Sequence, residues 1–245
     1  MRIPEHLHSK TSSLLICVLS FLCALSPLSA LCDSELMDFG WTFTQNGENR
    51  TVDLPHDWDI YSGPKPNGAT ATGGGWFPAG KATYQKTFAT PSADITKLHF
   101  EGVYQHAEVF VNGQKAGQHA YGYTPFTVDV TPFLNKDPKK PNLLTVSVDN
   151  SQQPNCRWYS GSGIYRHVWL YTVPALHIAE NGIHITTPEV STTQATVQIT
   201  VSVQNESHQT RHIDDIEVTI PTEGTSLTTH ISPPTSNLSP LTSHH

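Results

Sequence analysis

Cysteine is scarce in this sequence. Of the 245 residues, four are cysteine, and two of these, Cys17 and Cys23, fall within an apolar N-terminal segment. The other two, Cys32 and Cys156, are too few for a disulfide framework or a zinc site, both of which need several thiols. The 14 histidines are scattered and form no metal-binding motif. We therefore predict no metal site and no cofactor, and we interpret Cys156 as a structural residue.

Charged side chains are also few, at 14% of the chain, and the excess charge is negative. Fourteen Lys and Arg stand against 21 Asp and Glu, which gives a formal net charge of −7. Because phosphate binding needs a basic surface, we predict no nucleic-acid partner. Beyond residue 32, no apolar run is long enough to span a bilayer. Nine Phe, eight Tyr and five Trp remain, a composition typical of a folded, aromatic-rich protein.

The first 32 residues have the layout of a secretory signal peptide. Arg2 and Lys10 precede an apolar run at residues 14–25, and small residues follow around Ala30. We expect cleavage near this point and export, to the periplasm or the medium. The alternatives are an N-terminal membrane anchor and lipid attachment at Cys32. The short apolar run speaks against the first, and the bulky residue before Cys32 speaks against the second.

Beyond the leader, apolar and polar residues alternate with the period of a β-strand. The alternation is clear at residues 107–111, 144–149 and 168–171, and Asn112-Gly113 is a hairpin turn signal. Short strands bounded by turn residues favour an antiparallel sandwich over a parallel α/β sheet. We therefore predict an all-β protein.

A domain boundary is expected near Pro174. The first domain would be a jelly-roll β-sandwich at 33–173, and the second a partial immunoglobulin-like β-sandwich at 174–223. The second contains the regular alternation of residues 196–204 and a further strand at 216–220. Since such a sandwich normally needs roughly 100 residues, it looks incomplete. The Ser-, Thr- and Pro-rich tail at 224–245 is predicted to be disordered.

Four motifs, in this order, carry a resemblance to a known family. They are LPHDW at residues 54–58, FEGVY with VFVNG at 100–104 and 109–113, GYTPF at 122–126, and RWYSGSGIYR at 157–166. Together they resemble the N-terminal sugar-binding domain of glycoside hydrolase family 2, the β-galactosidase and β-glucuronidase family. The resemblance implies a galactose-binding-like jelly roll, a carbohydrate partner such as a β-galactoside or a related glycan, and a place packed against a catalytic barrel.

Four residues are candidates for sugar binding. Arg157, Trp158 and Tyr159 precede a turn, SGSG at 160–163, which we expect to be flexible. A guanidinium and two amphipathic rings suit hydroxyl recognition and stacking. The fourth candidate is Asp57. The alternatives remain open that the two rings pack in the core or against the next domain, and that Asp57 only caps a turn.

No catalytic residue is predicted in this chain. The resemblance implies that both catalytic glutamates lie on a (β/α)₈ barrel that follows the second domain. Such a barrel takes roughly 250 residues, so we expect none within this sequence. Asn205-Glu206 matches the dipeptide of the family's acid/base, but it follows a sandwich strand, and we interpret it as a surface turn. Two hypotheses follow: a truncated, non-catalytic sugar-binding part of a family 2 glycosidase, or a stand-alone exported carbohydrate-binding module. A structural adhesion sandwich is a third, more distant alternative.

Overall fold

The computed structural model describes residues 33–213, 216–222, 225–231 and 237–238. The predicted signal peptide at 1–32 lies outside them. Within the described residues, no helix has the length and hydropathy needed to cross a bilayer. The strands of the N-terminal region are β1 Asp33–Leu36, β2 Trp41–Gln45, β3 Glu48–Val52, β4 Gly80–Phe88, β5 Ile95–Phe100, β6 Ala107–Val111, β7 Gln114–His119, β8 Phe126–Asp129, β9 Asn142–Asn150 and β10 Val168–Val173. The helices are short: α1 Trp58–Ser62, α2 Ala71–Gly74 and a 3₁₀ turn at Thr131–Phe133.

These ten strands form two antiparallel sheets. One has six strands in the order β3-β2-β4-β9-β6-β7, and the other has four in the order β1-β10-β5-β8. Strand β9 shows how the pattern fixes the packing, because Leu144, Val146 and Val148 are buried while the residues between them are half-buried. The prediction of an all-β sandwich is confirmed.

The hydrophobic core draws side chains from both sheets. Its largest members include Trp41 and Phe43 on β2, Tyr84 on β4 and Phe100 on β5, all essentially buried. Each buried side chain of this size stabilises the fold by about 1.5–3 kcal/mol relative to its exposed state. The aromatic content of the sequence is therefore in large part core.

The Asn112-Gly113 turn lies where the sequence predicts a hairpin. It joins β6 to β7, with φ of 52° at Asn112 and 80° at Gly113. Both residues thus have the positive φ of a type I′ turn. The Asn112 side chain also accepts from Leu143 N–H (3.0 Å) and donates to the Phe133 carbonyl (2.8 Å), which ties the turn to β9.

The C-terminal region begins with a long hairpin. Strand β11 (Leu176–Val190) pairs antiparallel with β12 (Ala195–Asn205), and Ile185 faces Ile199 across the pair. The remaining strands are β13 Arg211–His212, β14 Ile216–Thr222, β15 Thr225–Ile231 and β16 Asn237–Leu238. In this region the structure therefore describes isolated strand pairs and not a closed sandwich.

The predicted disordered tail at 224–245 differs from the structure in part. Strand β15 lies within it and pairs with β14, and the short β16 pairs with β13. Threonine and isoleucine, which are frequent at residues 225–231, favour extended backbone because they branch at Cβ. The other residues of the tail lie outside the described part of the chain.

Candidate functional site

Asp57 is the residue around which the site is organised. It is the N-cap of α1, and its Oδ1 accepts the N–H of Asp59 at 3.0 Å. The same oxygen accepts the N–H of Ser162 at 2.9 Å. Its other oxygen, Oδ2, accepts a short hydrogen bond from the Tyr159 hydroxyl. The carboxylate therefore joins the 54–58 motif to the 157–166 motif.

Tyr159 lies at the surface with its hydroxyl directed inward. Its side chain is 40% exposed, and its ring packs on Phe77 with the centroids 4.6 Å apart. Burial of the hydroxyl, followed by the bond to Asp57, raises the pKa of Tyr159. The phenol thus remains a neutral donor to Asp57, while one face of the ring is open to solvent.

A buried polar network supports this surface from behind. Ser162 Oγ donates to Asp59 Oδ2 at 2.6 Å, and Asp59 Oδ1 accepts the Ala79 N–H at 2.8 Å. Asn150, at the end of β9, donates to Ser162 Oγ (2.7 Å) and to the Gly161 carbonyl (3.1 Å). Burial raises the pKa of Asp59, and the hydrogen bonds from Ser162 and Ala79 oppose that rise. Because both carboxylate oxygens have partners, the network is satisfied without solvent.

The turn at 160–163 is not flexible, and that prediction is corrected. Residues 161–164 are buried, and the backbone of Ser162 and Ile164 bonds to Trp58 N–H (3.0 Å) and His56 N–H (2.8 Å). The glycines instead allow the backbone of this turn to lie close to Asp57 and His56. A Cβ on Gly161 would lie 2.5 Å from Asp57 Oδ2, and one on Gly163 would lie 2.6 Å from the His56 carbonyl.

Trp158 and Arg157 face solvent. Trp158 is 60% exposed, and its Nε1 donates to the Tyr123 hydroxyl at 2.9 Å. Arg157 is exposed, and within the described residues no hydrogen bond or ion pair involves its side chain. The interpretation of Trp158 and Tyr159 as core residues is therefore wrong for this chain.

The four predicted residues thus fall into two groups. Asp57 and Tyr159 are in direct contact, and Trp158 and Arg157 continue the same loop outward. Sequence reasoning missed the supporting residues Asp59, Ser162 and Asn150. Ser162 lies within the 157–166 motif, and Asp59 and Asn150 lie outside the motifs, but a buried hydrogen-bond network across distant segments has no local pattern.

The carboxylates of Asp57, Asp59 and Glu206 form no catalytic pair. Asp59 is buried with both oxygens occupied, and Asp57 is used by the cap and by Tyr159. Glu206 forms an ion pair with Lys97 at 2.8 Å, and Asn205 Oδ1 accepts the Ser207 N–H at 3.1 Å. Asn205 is the last residue of β12 and is 2% exposed, so the interpretation of Asn205-Glu206 as a surface turn is wrong for Asn205. Within the described residues, no group of three or more His, Cys, Asp or Glu could hold a metal ion.

A family model matches residues 28–174, which is more than half of the chain. It describes the sugar-binding domain of glycosyl hydrolases family 2. This chain belongs to glycoside hydrolase family 2. The matched region contains the whole network around Asp57.

Relatives and solved structures agree with this assignment. The chain is 43% identical over 167 residues to the β-galactosidase BoGH2A of Bacteroides ovatus, a match that covers 67% of this chain and 19% of that protein. It is 28% identical over 187 residues to a β-glucuronidase of Bacteroides fragilis, covering 69% of this chain and 26% of that protein.

Among solved structures, a β-glycosidase from Bacteroides vulgatus is 29% identical with a TM-score of 0.68, covering 81% of this chain and 27% of that one. A family 2 member from Bacteroides cellulosilyticus is 26% identical with a TM-score of 0.71, covering 84% of this chain and 29% of that one. The chain therefore spans between a fifth and a third of the length of these proteins.

Proposed function

We propose that this chain supplies the sugar-binding part of an exported family 2 glycosidase that acts on β-galactosides. The observation that carries the proposal is the contact between Asp57 and Tyr159, which sets an amphipathic ring and a carboxylate at the surface of a family 2 sugar-binding domain. Sugar sites combine a few positioned polar groups with apolar faces. The 43% identity to a β-galactosidase favours galactose as the sugar.

The proposal gives the loop at 156–163 the role of a pocket wall. Its buried side is fixed by Ser162 and Asn150, so its backbone is preorganised before sugar arrives. Retaining glycosidases need two carboxylates about 5–5.5 Å apart, as acid/base and as nucleophile. We propose that these come from a catalytic barrel against which this domain packs, because Asp57 and Asp59 are occupied.

A second candidate substrate is a β-glucuronide. The exposed guanidinium of Arg157 favours it, because a guanidinium can bind the carboxylate of a uronic acid through two parallel hydrogen bonds. A relative named β-glucuronidase also matches the chain. If this candidate is correct, Arg157 distinguishes the two sugars.

Calorimetric titration of the purified chain tests both candidates. With methyl β-D-galactopyranoside we expect binding at about the millimolar level, since a pocket wall covers only part of a sugar. Replacing Tyr159 with Ala should weaken it, and Phe39→Ala is a matched control because Phe39 is exposed and lies outside these loops. Tighter binding of methyl β-D-glucopyranosiduronic acid that is lost in Arg157→Ala would favour the second candidate. Absence of binding to both would contradict the proposal.

A further inference from the structure

Three exposed aromatic side chains lie together beside the site. Tyr121 is 59% exposed, Tyr123 is 43% exposed and Trp158 is 60% exposed. The rings of Tyr121 and Tyr123 lie 5.7 Å apart, and Trp158 donates to the Tyr123 hydroxyl. We call these three residues the aromatic platform. Tyr121 and Tyr123 were not among the residues that the sequence suggested for sugar binding.

The platform is held from below. Tyr123 packs edge-on against the buried Tyr104, with the ring centroids 5.2 Å apart. The Tyr165 hydroxyl donates to the carbonyl of Gly122 at 2.6 Å, which fixes the backbone between the two tyrosines. The loop that carries the platform is therefore ordered by contacts with the body of the domain, although the rings themselves face water.

The chemistry of the platform is neutral and amphipathic. The polar edges of Trp158 and Tyr123 bond to each other, and both side chains remain at least 43% exposed. None of the three side chains carries a charge. Neutral ring faces with hydroxyl groups at their margins suit the C–H faces and hydroxyls of pyranose units.

We propose that the aromatic platform binds further sugar units of a soluble oligosaccharide whose end occupies the Asp57–Tyr159 site. This inference rests on the proposed function, which places the end of the sugar chain at Tyr159. Trp158, the adjacent residue in the chain, belongs to the platform, so the platform continues from that site. The Tyr121 and Tyr123 rings meet at 68°, so they form no flat surface. Such a surface fits a single chain that turns between units and does not fit the flat face of a crystalline polysaccharide.

The test compares a monosaccharide glycoside with a longer ligand on the full chain. Calorimetric titration with β-1,4-galactotetraose should give about tenfold tighter binding than methyl β-D-galactopyranoside, equivalent to about one additional aromatic contact. In Tyr121→Ala this difference should disappear while the affinity for the monosaccharide is unchanged. Tyr121 suits the test because its ring touches Tyr123 at the surface and its loss opens no core cavity. Phe39→Ala again serves as the matched control.

The outcomes separate this inference from the proposed function. Equal affinities for the tetraose and the monosaccharide in the unsubstituted chain overturn the platform and leave the Asp57–Tyr159 site intact. Tighter tetraose binding that Tyr121→Ala leaves unchanged also overturns it, because the additional sugar units would then bind elsewhere. Tetraose binding that depends on Tyr121, without measurable monosaccharide binding, would support the platform and contradict the proposed function.

Discussion

The backbone N–H of Ser162 donates a 2.9 Å hydrogen bond to Oδ1 of Asp57, a residue 105 positions earlier in the chain. The same oxygen caps α1, and the hydroxyl of Ser162 reaches Asp59 on that helix. Together with the bond from the Tyr159 hydroxyl to Oδ2 of Asp57, three hydrogen bonds to these two carboxylates join the two segments. This arrangement makes the site a structural joint as well as a surface, and substitutions in it affect both stability and sugar binding.

Replacing Asp57 with Ala should lower the free energy of unfolding by about 3 kcal/mol. The change removes an N-cap, worth about 1 kcal/mol, and a charge-assisted bond from Tyr159, worth about 1.5–3 kcal/mol. Asp57→Asn keeps the Oδ1 acceptor and should cost less than half as much. Urea denaturation measures both, with the exposed Glu48→Ala as control. Equal losses for Ala and Asn would contradict the capping role.

Replacing Gly161 with Ala should be markedly more costly than the same change at Gly47. Both glycines have positive φ, 73° and 82°, so both substitutions carry a backbone penalty of similar size. Only at Gly161 would the new Cβ meet an atom, Asp57 Oδ2 at 2.5 Å, whereas nothing lies within 4 Å at Gly47. We expect about 1 kcal/mol at Gly47 and at least about 3 kcal/mol at Gly161. Equal destabilisation in urea would show that close approach to Asp57 plays no part.

Local sequence patterns predicted the strands of the sandwich well. The alternating residues Leu144, Val146 and Val148 form the buried face of β9, and Asn112-Gly113 forms the predicted turn between β6 and β7. Both patterns depend only on neighbouring residues. The Asp57–Ser162 contact could not be predicted in this way. It depends on the approach of segments that are distant in sequence, and its glycines looked like a flexible turn for the same reason.

The candidate site was predicted only as a set of separate residues. Motif resemblance identified Asp57 and Tyr159, but nothing in the sequence indicated that one donates a hydrogen bond to the other. Tyr123 belongs to a different motif, and nothing in that motif indicates that its hydroxyl accepts a hydrogen bond from Trp158. Residues brought together by loops have no common period, and so no sequence pattern unites them.

His56 should make the stability of the protein depend on pH between about 4 and 6.5. Burial, assisted by the Arg50 guanidinium and opposed by Asp57, lowers the pKa of His56 from its ordinary value of 6.5 to about 4. As pH falls through this window, the unfolded chain takes up a proton that the folded chain does not. The folded state therefore loses stability, by roughly 3 kcal/mol in total.

Urea midpoints measured from pH 7.5 down to pH 4 test this expectation. In His56→Asn the part of the decline that belongs to this side chain should be absent, so the curve should be flatter, although the variant starts from a lower stability. The exposed His184→Asn is the matched control and should keep the slope of the unsubstituted chain. Parallel curves for the two variants would show that folding does not lower the pKa of His56.

If residues 1–32 are a signal peptide that is removed on export, the mature protein should begin between Leu31 and Asp33. The layout of residues 1–32, with basic residues before an apolar run and small residues at its end, is the reason. Intact-mass measurement on protein from its native host should show the loss of the leader. A chain that retains Met1, or that is found only in the cytoplasm, would contradict export. A mass increase consistent with acyl chains on Cys32 would instead indicate lipid attachment.

The purified chain should hydrolyse neither aryl β-galactosides nor aryl β-glucuronides above background. Asp59 is buried with both oxygens bonded, Asp57 is held by Tyr159 and Ser162, and Glu206 pairs with Lys97. None of the three can protonate a leaving oxygen while another attacks the sugar, and general acid–base help alone is worth roughly 10²–10⁴-fold in rate.

The assay is run beside Glu206→Gln, because Asn205-Glu206 resembles the family's acid/base dipeptide. Turnover that disappears in this variant would show that Glu206 is catalytic and that its ion pair with Lys97 opens. Turnover that persists in Glu206→Gln would place the acid elsewhere in the chain, whereas sugar binding without turnover in either protein would fit a domain that holds sugar for carboxylates supplied by another part of the enzyme.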